Sequence, residues 1–228
     1  MCYNYLRDIM EILADKLRPK KIDDIIGQKH LVGEGKILTN LVKNKKLFSM
    51  IFYGKPGIGK TSIATALVSE LEMHYKFLNA TVNNKSDFDT AIMEAKMYGD
   101  MVLIIDEIHR MNKDKQDLLL PYIENGTIIL IGLTTSNPYH KINPAIRSRC
   151  QLIELHELTE SDIEKALDRV IEVYPDIELT LDIKKHIAHL SSGDLRFAYN
   201  LVEFCYNSFG PKFTIENINE VSPRTNLY

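Results

Sequence analysis

Tyr53-Gly54-Lys55-Pro56-Gly57-Ile58-Gly59-Lys60-Thr61 is the stretch whose reading decides the fold. It follows the apolar run Ser49-Met50-Ile51-Phe52-Tyr53 and leads into a helix-like run with Ile63, Ala64, Leu67, Val68 and Leu71 on one face. The segment matches GxxxxGK[ST] in the strand–loop–helix setting that a phosphate-binding loop requires. Glycines let successive backbone N–H groups curl around phosphate oxygens, and the new helix points its positive end at them. Lys60 is placed to reach the outer phosphates, and the Thr61 hydroxyl to ligate Mg²⁺. A nucleoside triphosphate site is expected.

The 228 residues suffice for a full core in one or two domains. Composition is that of a globular chain, 45% apolar and 26% charged. A net charge of −3 gives no whole-protein basic field, so any nucleic-acid contact must be local. Cys2, Cys150 and Cys205 are an odd count without paired spacing, which argues against a disulfide framework or a zinc site. Apolar runs such as Met101–Ile105 and Thr127–Leu133 are strand-sized and fall short of a membrane span. Arg7, Asp8 and Glu11 interrupt any signal-peptide core. These features predict a soluble, cytoplasmic protein with no membrane partner.

In chain order, residues 4–16 predict a short helix ended by Leu17-Arg18-Pro19. Ile37, Leu38, Leu41 and Val42 mark a second helix, and Lys43, Lys45 and Lys46 at its end read as a solvated terminus rather than a DNA contact. After the phosphate loop and its helix, Tyr75–Ala80 reads as a strand. Ser86 with Asp89 resembles a capping box for a helix facing inward through Phe88, Ala91, Ile92 and Ala95. Gly99-Asp100 turns into Met101-Val102-Leu103-Ile104-Ile105, a run too continuous for a half-exposed strand and expected to be covered on both faces. A helix over 111–124 closes at Asn125-Gly126. The strand Ile128–Leu133 follows, then a loop with Asn137-Pro138 and Asn143-Pro144, then the fifth strand Leu152–Leu155.

Strands alternating with helices over 49–155 predict an α/β fold, a doubly wound, five-stranded parallel sheet flanked by helices. From residue 158 the pattern is helical. Thr159 with Asp162 forms a second cap, Ile163, Ala166, Leu167 and Val170 a stripe, and helices are expected over 181–191 and 194–209 before Gly210-Pro211. The expected domains are an α/β nucleotide-binding domain, 1–157, and a small helical domain, 158–228.

Asp106-Glu107 stand at the carboxyl end of the buried strand, the edge where open parallel sheets bind ligands. Asp106 is expected to hold the Mg²⁺ shell, and Glu107 to orient and polarise the attacking water. Thr134-Thr135 end the next strand, so one of the two hydroxyls can reach the γ-phosphate or its water. Arg147 and Arg149 precede the fifth strand. An arginine aimed across a subunit boundary at another protomer's γ-phosphate contributes about 10³–10⁵ in rate. Asp194 is a helix cap, which puts Arg196 in a first turn where the dipole disfavours a cation unless a phosphate sits beside it. The histidines, His109 and His140 among them, lack metal-ligand spacing and read as structural or surface. Cys150 beside Arg149 has no partner for nucleophilic chemistry.

These pieces in this order resemble an AAA+ ATPase: the phosphate loop, Asp106-Glu107, Thr134-Thr135, Ser148-Arg149-Cys150, and Gly193-Asp194-Leu195-Arg196 in a helical lid. Ser148-Arg149-Cys150 and Ile26-Gly27-Gln28 look like the clamp-loader branch. Asp106-Glu107-Ile108-His109-Arg110-Met111-Asn112-Lys113 runs on through Gln116-Asp117, Leu120-Pro121 and Glu124-Asn125-Gly126 to Ile131-Gly132-Leu133-Thr134-Thr135-Ser136-Asn137-Pro138. This stretch looks like the replication-associated recombination protein A family, also called MgsA, and the similarity covers about residue 12 onward.

The resemblance implies that Gly54, Lys55, Pro56, Gly57, Ile58, Gly59, Lys60, Thr61 and Ser62 bind ATP, with Thr61 and Asp106 on Mg²⁺ and Glu107 as catalytic base. Thr135 matches the first sensor, Arg149 the finger acting in trans, and Arg196 the second sensor. Arg18, Ile26 and Gly27 match the segment that packs on adenine. Lys55 and Ile58 depart from the more usual Pro and Thr, and Ser136 stands where an acidic residue is common. The family continues into a C-terminal oligomerisation domain, whereas this sequence stops at Tyr228, so an ATPase core is expected, weakly active and mostly monomeric by itself. The implied function is a DNA-dependent ATPase at stalled or damaged replication forks. Its implied partners are forked or single-stranded/duplex junction DNA, replication proteins and, in the full-length protein, further copies of the chain. Two alternatives stand beside it: a clamp-loader subunit, and an ATP-gated binding module with little turnover. A helicase reading of Asp106-Glu107-Ile108-His109 lacks room for a second motor domain.

Overall fold

In the computed structural model, which describes residues 12–99 and 101–222, helices α1 (Leu13–Lys16) and α2 (Ile37–Lys43) precede strand β1 (Met50–Tyr53). The phosphate loop joins β1 to α3 (Lys60–Glu70). β2 (Tyr75–Asn79), α4 (Lys85–Tyr98), β3 (Met101–Asp106), α5 (Lys113–Glu124) and β4 (Ile128–Thr134) follow. Asn137 and Asn143 each cap a single helical turn, α6 (Pro138–Lys141) and α7 (Pro144–Arg147), with proline at a position that needs no N–H. β5 (Gln151–Glu154) completes a sheet of five parallel strands in the order β2-β3-β4-β1-β5.

The continuous apolar run of β3 is explained by cover on both faces. Val102 and Ile104 join Phe52, Ile63 and Leu67 in one core, packed beneath α3. Leu103 and Ile105 join Phe88, Ala91 and Leu119 in the other, beneath α4 and α5. A strand with water on one face would have needed polar residues at alternate positions. The edge strand β2 is covered less fully, with Tyr75 and Phe77 exposed and Leu78 buried.

The described residues divide into two units, one of them Pro19–His156 and the other made of residues 12–18 together with residues 157–222. The second holds α8 (Glu160–Asp168), α9 (Leu181–Ser191), α10 (Leu195–Phe209) and α11 (Ile215–Val221). These four start on side-chain caps: Thr159 with Asp162, Thr180, Asp194, and Thr214 with Asn217. Residues 12–18, expected within the α/β domain, group with these helices instead. Leu13 and Leu17 are buried, and the Leu13 N–H donates to Glu203 Oε1 on α10 at 3.1 Å. Of the helix expected over 4–16, residues 4–11 lie outside the described residues.

One cap differs from expectation. Helix α4 starts on Asn84 with Asp87, not on Ser86 with Asp89. Asn84 Oδ1 accepts the Asp87 N–H at 3.2 Å, while Asp87 Oδ2 accepts from the Asn84 N–H at 2.8 Å and from Asn83 Nδ2 at 3.1 Å. The helix α11 carries no counterpart in the sequence-based expectation. No helix among the described residues is long and apolar enough to cross a membrane.

Candidate functional site

The site grows from the carboxyl edge of the sheet. Strand β1 runs out at Tyr53, and the Gly54 N–H donates to the Thr134 carbonyl of β4 at 3.3 Å. Gly54 has φ +144°, and a Cβ there would stand 2.6 Å from the Leu155 carbonyl oxygen and 2.7 Å from Ile58 Cδ1. Only glycine fits such a position. The Ile58 side chain is itself buried and anchors the loop in the core, which accounts for an apolar residue where threonine is more usual. Gly59, at φ +101°, is the N-cap of α3 and offers no capping side chain, leaving the first-turn amides for a ligand. Lys60 is only 9% exposed. Its Nζ donates to the carbonyls of Gly54 at 2.8 Å and Lys55 at 2.6 Å, so the ammonium lies within the loop. Lys55 and Pro56 are exposed, and Thr61 and Ser62 are half-buried in the first turn of α3.

Behind the loop stands Gln28, 5% exposed and with φ +51°. Its Nε2 donates to the carbonyls of His156 at 2.7 Å and Ile58 at 3.3 Å, and its Oε1 accepts the His156 N–H at 3.0 Å. One amide thereby ties the phosphate loop to the chain leaving β5. The His30 ring stacks on His156 with centroids 3.8 Å apart. Ile26 and Gly27 are half-buried next to Gln28. Arg18 belongs to the other unit, where it forms an ion pair with Asp15.

Strand β3 delivers Asp106 and Glu107 to the same edge. Asp106 Oδ1 accepts the Glu107 N–H at 2.9 Å, and the Asp106 carbonyl accepts the Ala80 N–H at 2.9 Å. Glu107 takes the left-handed backbone conformation at φ +52°, which is unusual outside glycine and characteristic of strained functional positions. Its Oε2 lies 3.3 Å from His109 Nδ1, and that nitrogen lies 2.9 Å from Thr134 Oγ1. Burial holds His109 below the usual imidazole pKa, with the Glu107 carboxylate opposing. Because β4 lies between β3 and β1, the ends of the three strands set Asp106, Thr134 and Gly54 side by side. Thr134 is buried, its hydroxyl also accepting the Ser136 N–H at 3.0 Å, whereas Thr135 is exposed.

Arg149 follows α7 and ion-pairs with Glu124 at the end of α5, and its Nη1 donates to the Ala145 carbonyl at 2.7 Å. Arg147 lays its guanidinium over the Tyr139 ring, 5.1 Å from the centroid. Arg196 is exposed in the first turn of α10, within the helical unit, beside its cap Asp194. The phosphate loop, Asp106, Glu107, Thr135 and Arg149 therefore share one unit, while Arg18 and Arg196 lie in the other. Burial pushes the Cys150 thiol up to about 12, in keeping with the absence of any expected nucleophilic role. Sequence reasoning passed over two contributors, Gln28 as a clamp and His109 as a partner of Glu107. The only signal for either was a polar residue inside a quoted motif.

Residues 17–146 match the family described as the Holliday junction DNA helicase RuvB P-loop domain. Replication-associated recombination protein A of Bacillus subtilis (strain 168) is 52% identical over 201 residues, covering 85% of this chain and 48% of that protein. The Escherichia coli (strain K12) protein of the same name is 36% identical over 201 residues, covering 84% and 45%. ATPase WRNIP1 of Dictyostelium discoideum is 37% identical over 209 residues, covering 88% and 24%. The chain thus spans about half or less of the length of these relatives. Among solved structures, the Thermotoga maritima RuvB Holliday junction branch migration motor aligns with a TM-score of 0.74 and 26% identity, covering 90% of this chain and 71% of that one. With the family match running over more than half of its residues, the chain belongs to the RuvB-type P-loop family of AAA+ ATPases, and several of its relatives carry the name replication-associated recombination protein A.

Proposed function

We propose that the chain is the catalytic core of a DNA-dependent ATPase that hydrolyses ATP with Mg²⁺ at stalled or damaged replication forks. The observation that carries the hydrolytic part is the placing of the Gly54 loop and of Asp106-Glu107 at the same sheet edge, on strand ends with only β4 between them, with Glu107 held in a left-handed conformation. The DNA part rests on relatives named for replication-associated recombination and for branch migration.

The donor set suits Mg²⁺-ATP. A hydroxyl on Thr61 and a carboxylate on Asp106 are hard oxygen ligands, and the Lys60 ammonium already lies against loop carbonyls where phosphate oxygens can replace them. When bound, the metal nucleotide supplies the electrophilic phosphoryl group and neutralises its charge. The backbone from Gly54 to Ser62 cradles the phosphates, and Arg18, Ile26 and Gly27 pack on adenine. Glu107 orients a water and takes its proton, Thr135 contacts the outer phosphate or that water, and Arg196, a first-turn cation, has the role of second phosphate sensor. Arg149 acts on the nucleotide of a neighbouring copy. To do so it must leave Glu124, an exposed pair whose loss costs about 0–1 kcal/mol.

Steady-state ATP hydrolysis with and without forked DNA carrying a single-stranded end tests this reading. Strong stimulation is expected, falling by about 10³-fold or more in Arg149→Ala. Stimulation by a sliding clamp instead of DNA replaces the proposal with a clamp-loader subunit. The engagement of Arg149 with Glu124 favours a second reading for the chain by itself, an ATP-gated binding module with little turnover. Tight ATP binding with no hydrolysis under either condition selects it.

A further inference from the structure

His109 stands beside the proposed base and takes no part in the chemistry assigned so far. It lies on the 3₁₀ turn Ile108–Arg110, and its side chain is only 8% exposed. Its Nδ1 has two oxygen neighbours, Thr134 Oγ1 at 2.9 Å and Glu107 Oε2 at 3.3 Å. The Thr134 hydroxyl accepts the Ser136 N–H at 3.0 Å and can direct its own proton to the Ser136 carbonyl at 3.3 Å. A hydroxyl whose proton is spent on a carbonyl can offer His109 only a lone pair, and an ionised carboxylate has nothing but lone pairs to offer. Both neighbours of Nδ1 therefore accept. The ring proton belongs on Nδ1, shared between a carboxylate and the end of β4.

The backbone supports this arrangement. Glu107 keeps a conformation that L residues adopt only when their surroundings hold it. Ile108, fully buried, lies against the open side of Gly132 in β4 and seats the turn that carries Glu107 and His109. Three consecutive residues are thus fixed to the strand whose end carries Thr135.

We propose that His109 is a positioning residue, whose Nδ1–H holds the Glu107 carboxylate at the sheet edge and links it through Thr134 to the strand end bearing Thr135. The role rests on the reading of Glu107 as the group that orients the attacking water. A phosphate oxygen that engages Thr135 or Ser136 shifts the neighbouring Thr134 hydroxyl, and the shared N–H redistributes toward Glu107. Hydrolytic readiness then depends on occupancy at the end of β4.

Long-range ¹H–¹⁵N spectra of the nucleotide-free protein test the hydrogen bond without any turnover, with His109 identified by its loss in His109→Asn. The Nδ1–H tautomer is expected, and the Nε2–H tautomer overturns the proposal. Kinetics test the consequence. His109→Leu is expected to lower kcat by about 10²-fold with KM little changed. His109→Asn, whose side-chain amide can donate from nearly the same point, is expected to recover most of the loss. Equal losses in the two variants, or a rise in KM with kcat kept, overturn the positioning role. The tautomer, read on the unmutated protein, decides the matter even where His109→Leu does not fold. An unmutated protein that binds but never hydrolyses ATP removes the proposed function and this role with it. An active one with His109 as Nε2–H removes this role alone.

Discussion

At the scale of single residues, the proposed chemistry rests on a few side chains whose surroundings the fold sets. Glu107→Gln keeps the shape of the acid but cannot take a proton, so it is expected to bind ATP normally while turnover falls by about 10²–10⁴-fold. Calorimetric binding beside steady-state hydrolysis separates the two, and an equal loss of binding would make Glu107 structural. Gln28→Ala leaves the Ile58 carbonyl and both peptide groups of His156 without their partner. A destabilisation of about 1–3 kcal/mol is expected, read from urea unfolding. His109 is held by burial below its usual 6.5, so the unfolded chain takes up a proton before the folded one does. Stability on this account is complete above that value and is lost as the pH falls through it, and the loss should shrink in His109→Asn when urea midpoints at pH 7.5 and 5.5 are compared. The positions of Lys60, Thr61 and Asp106 at the carboxyl edge of the sheet were legible in the sequence because local spacing fixes them. Gln28 and His109 were not, because their partners, His156 and Thr134, are remote in sequence and reach them only through the fold.

At the scale of elements, β4 shows how a strand shapes a site from its interior as well as from its end. A Cβ on Gly132 would meet Ile108 Cδ1 at 3.0 Å, Ile51 Cγ1 at 3.2 Å and Ile108 Cγ2 at 3.3 Å. Gly132→Ala must therefore move Ile108, and with it the turn bearing Glu107 and His109. Turnover is expected to fall by about tenfold or more and ATP affinity by less, because two of the three contacts are to Ile108 and one is to Ile51 on the strand that leads into the phosphate loop. A matched loss of binding and turnover would show a wider collapse. The continuous run of β3 announced its two-sided burial, and the alternation of strands and helices announced the sheet. The start of α4 was harder, because Asn84-x-x-Asp87 and Ser86-x-x-Asp89 both fit the same pattern. Asn83 breaks the tie by adding a donor to Asp87. The caps at Thr159 and Asp194 had no such rival and stand where they were expected.

At the scale of the whole molecule, the expected response is to nucleotide. A ligand that binds only the folded state adds about 2.7 kcal/mol at a concentration 100 times its Kd. Mg²⁺ with a non-hydrolysable ATP analogue should therefore raise the melting temperature of the unmutated protein and of Glu107→Gln, and leave that of Lys60→Ala in place. A shift that survives in Lys60→Ala would put the nucleotide elsewhere. The grouping of residues 12–18 with the C-terminal helices escaped the sequence, since a four-residue helix gives no sign of the distant Glu203 that receives it. The placing of β1 has a further consequence, for the order of events during synthesis. Its hydrogen-bonding neighbours are β4 and β5, so Met50 is paired with Ile131 and Gln151 on strands made long after it. While a ribosome is still extending the chain, the loop built first is among the last parts to acquire its shape. A nascent chain cut short before Gln151 would carry every residue of the loop and lack half of the scaffold that bends it, so nucleotide can act as a ligand of the growing protein only near the completion of its sheet.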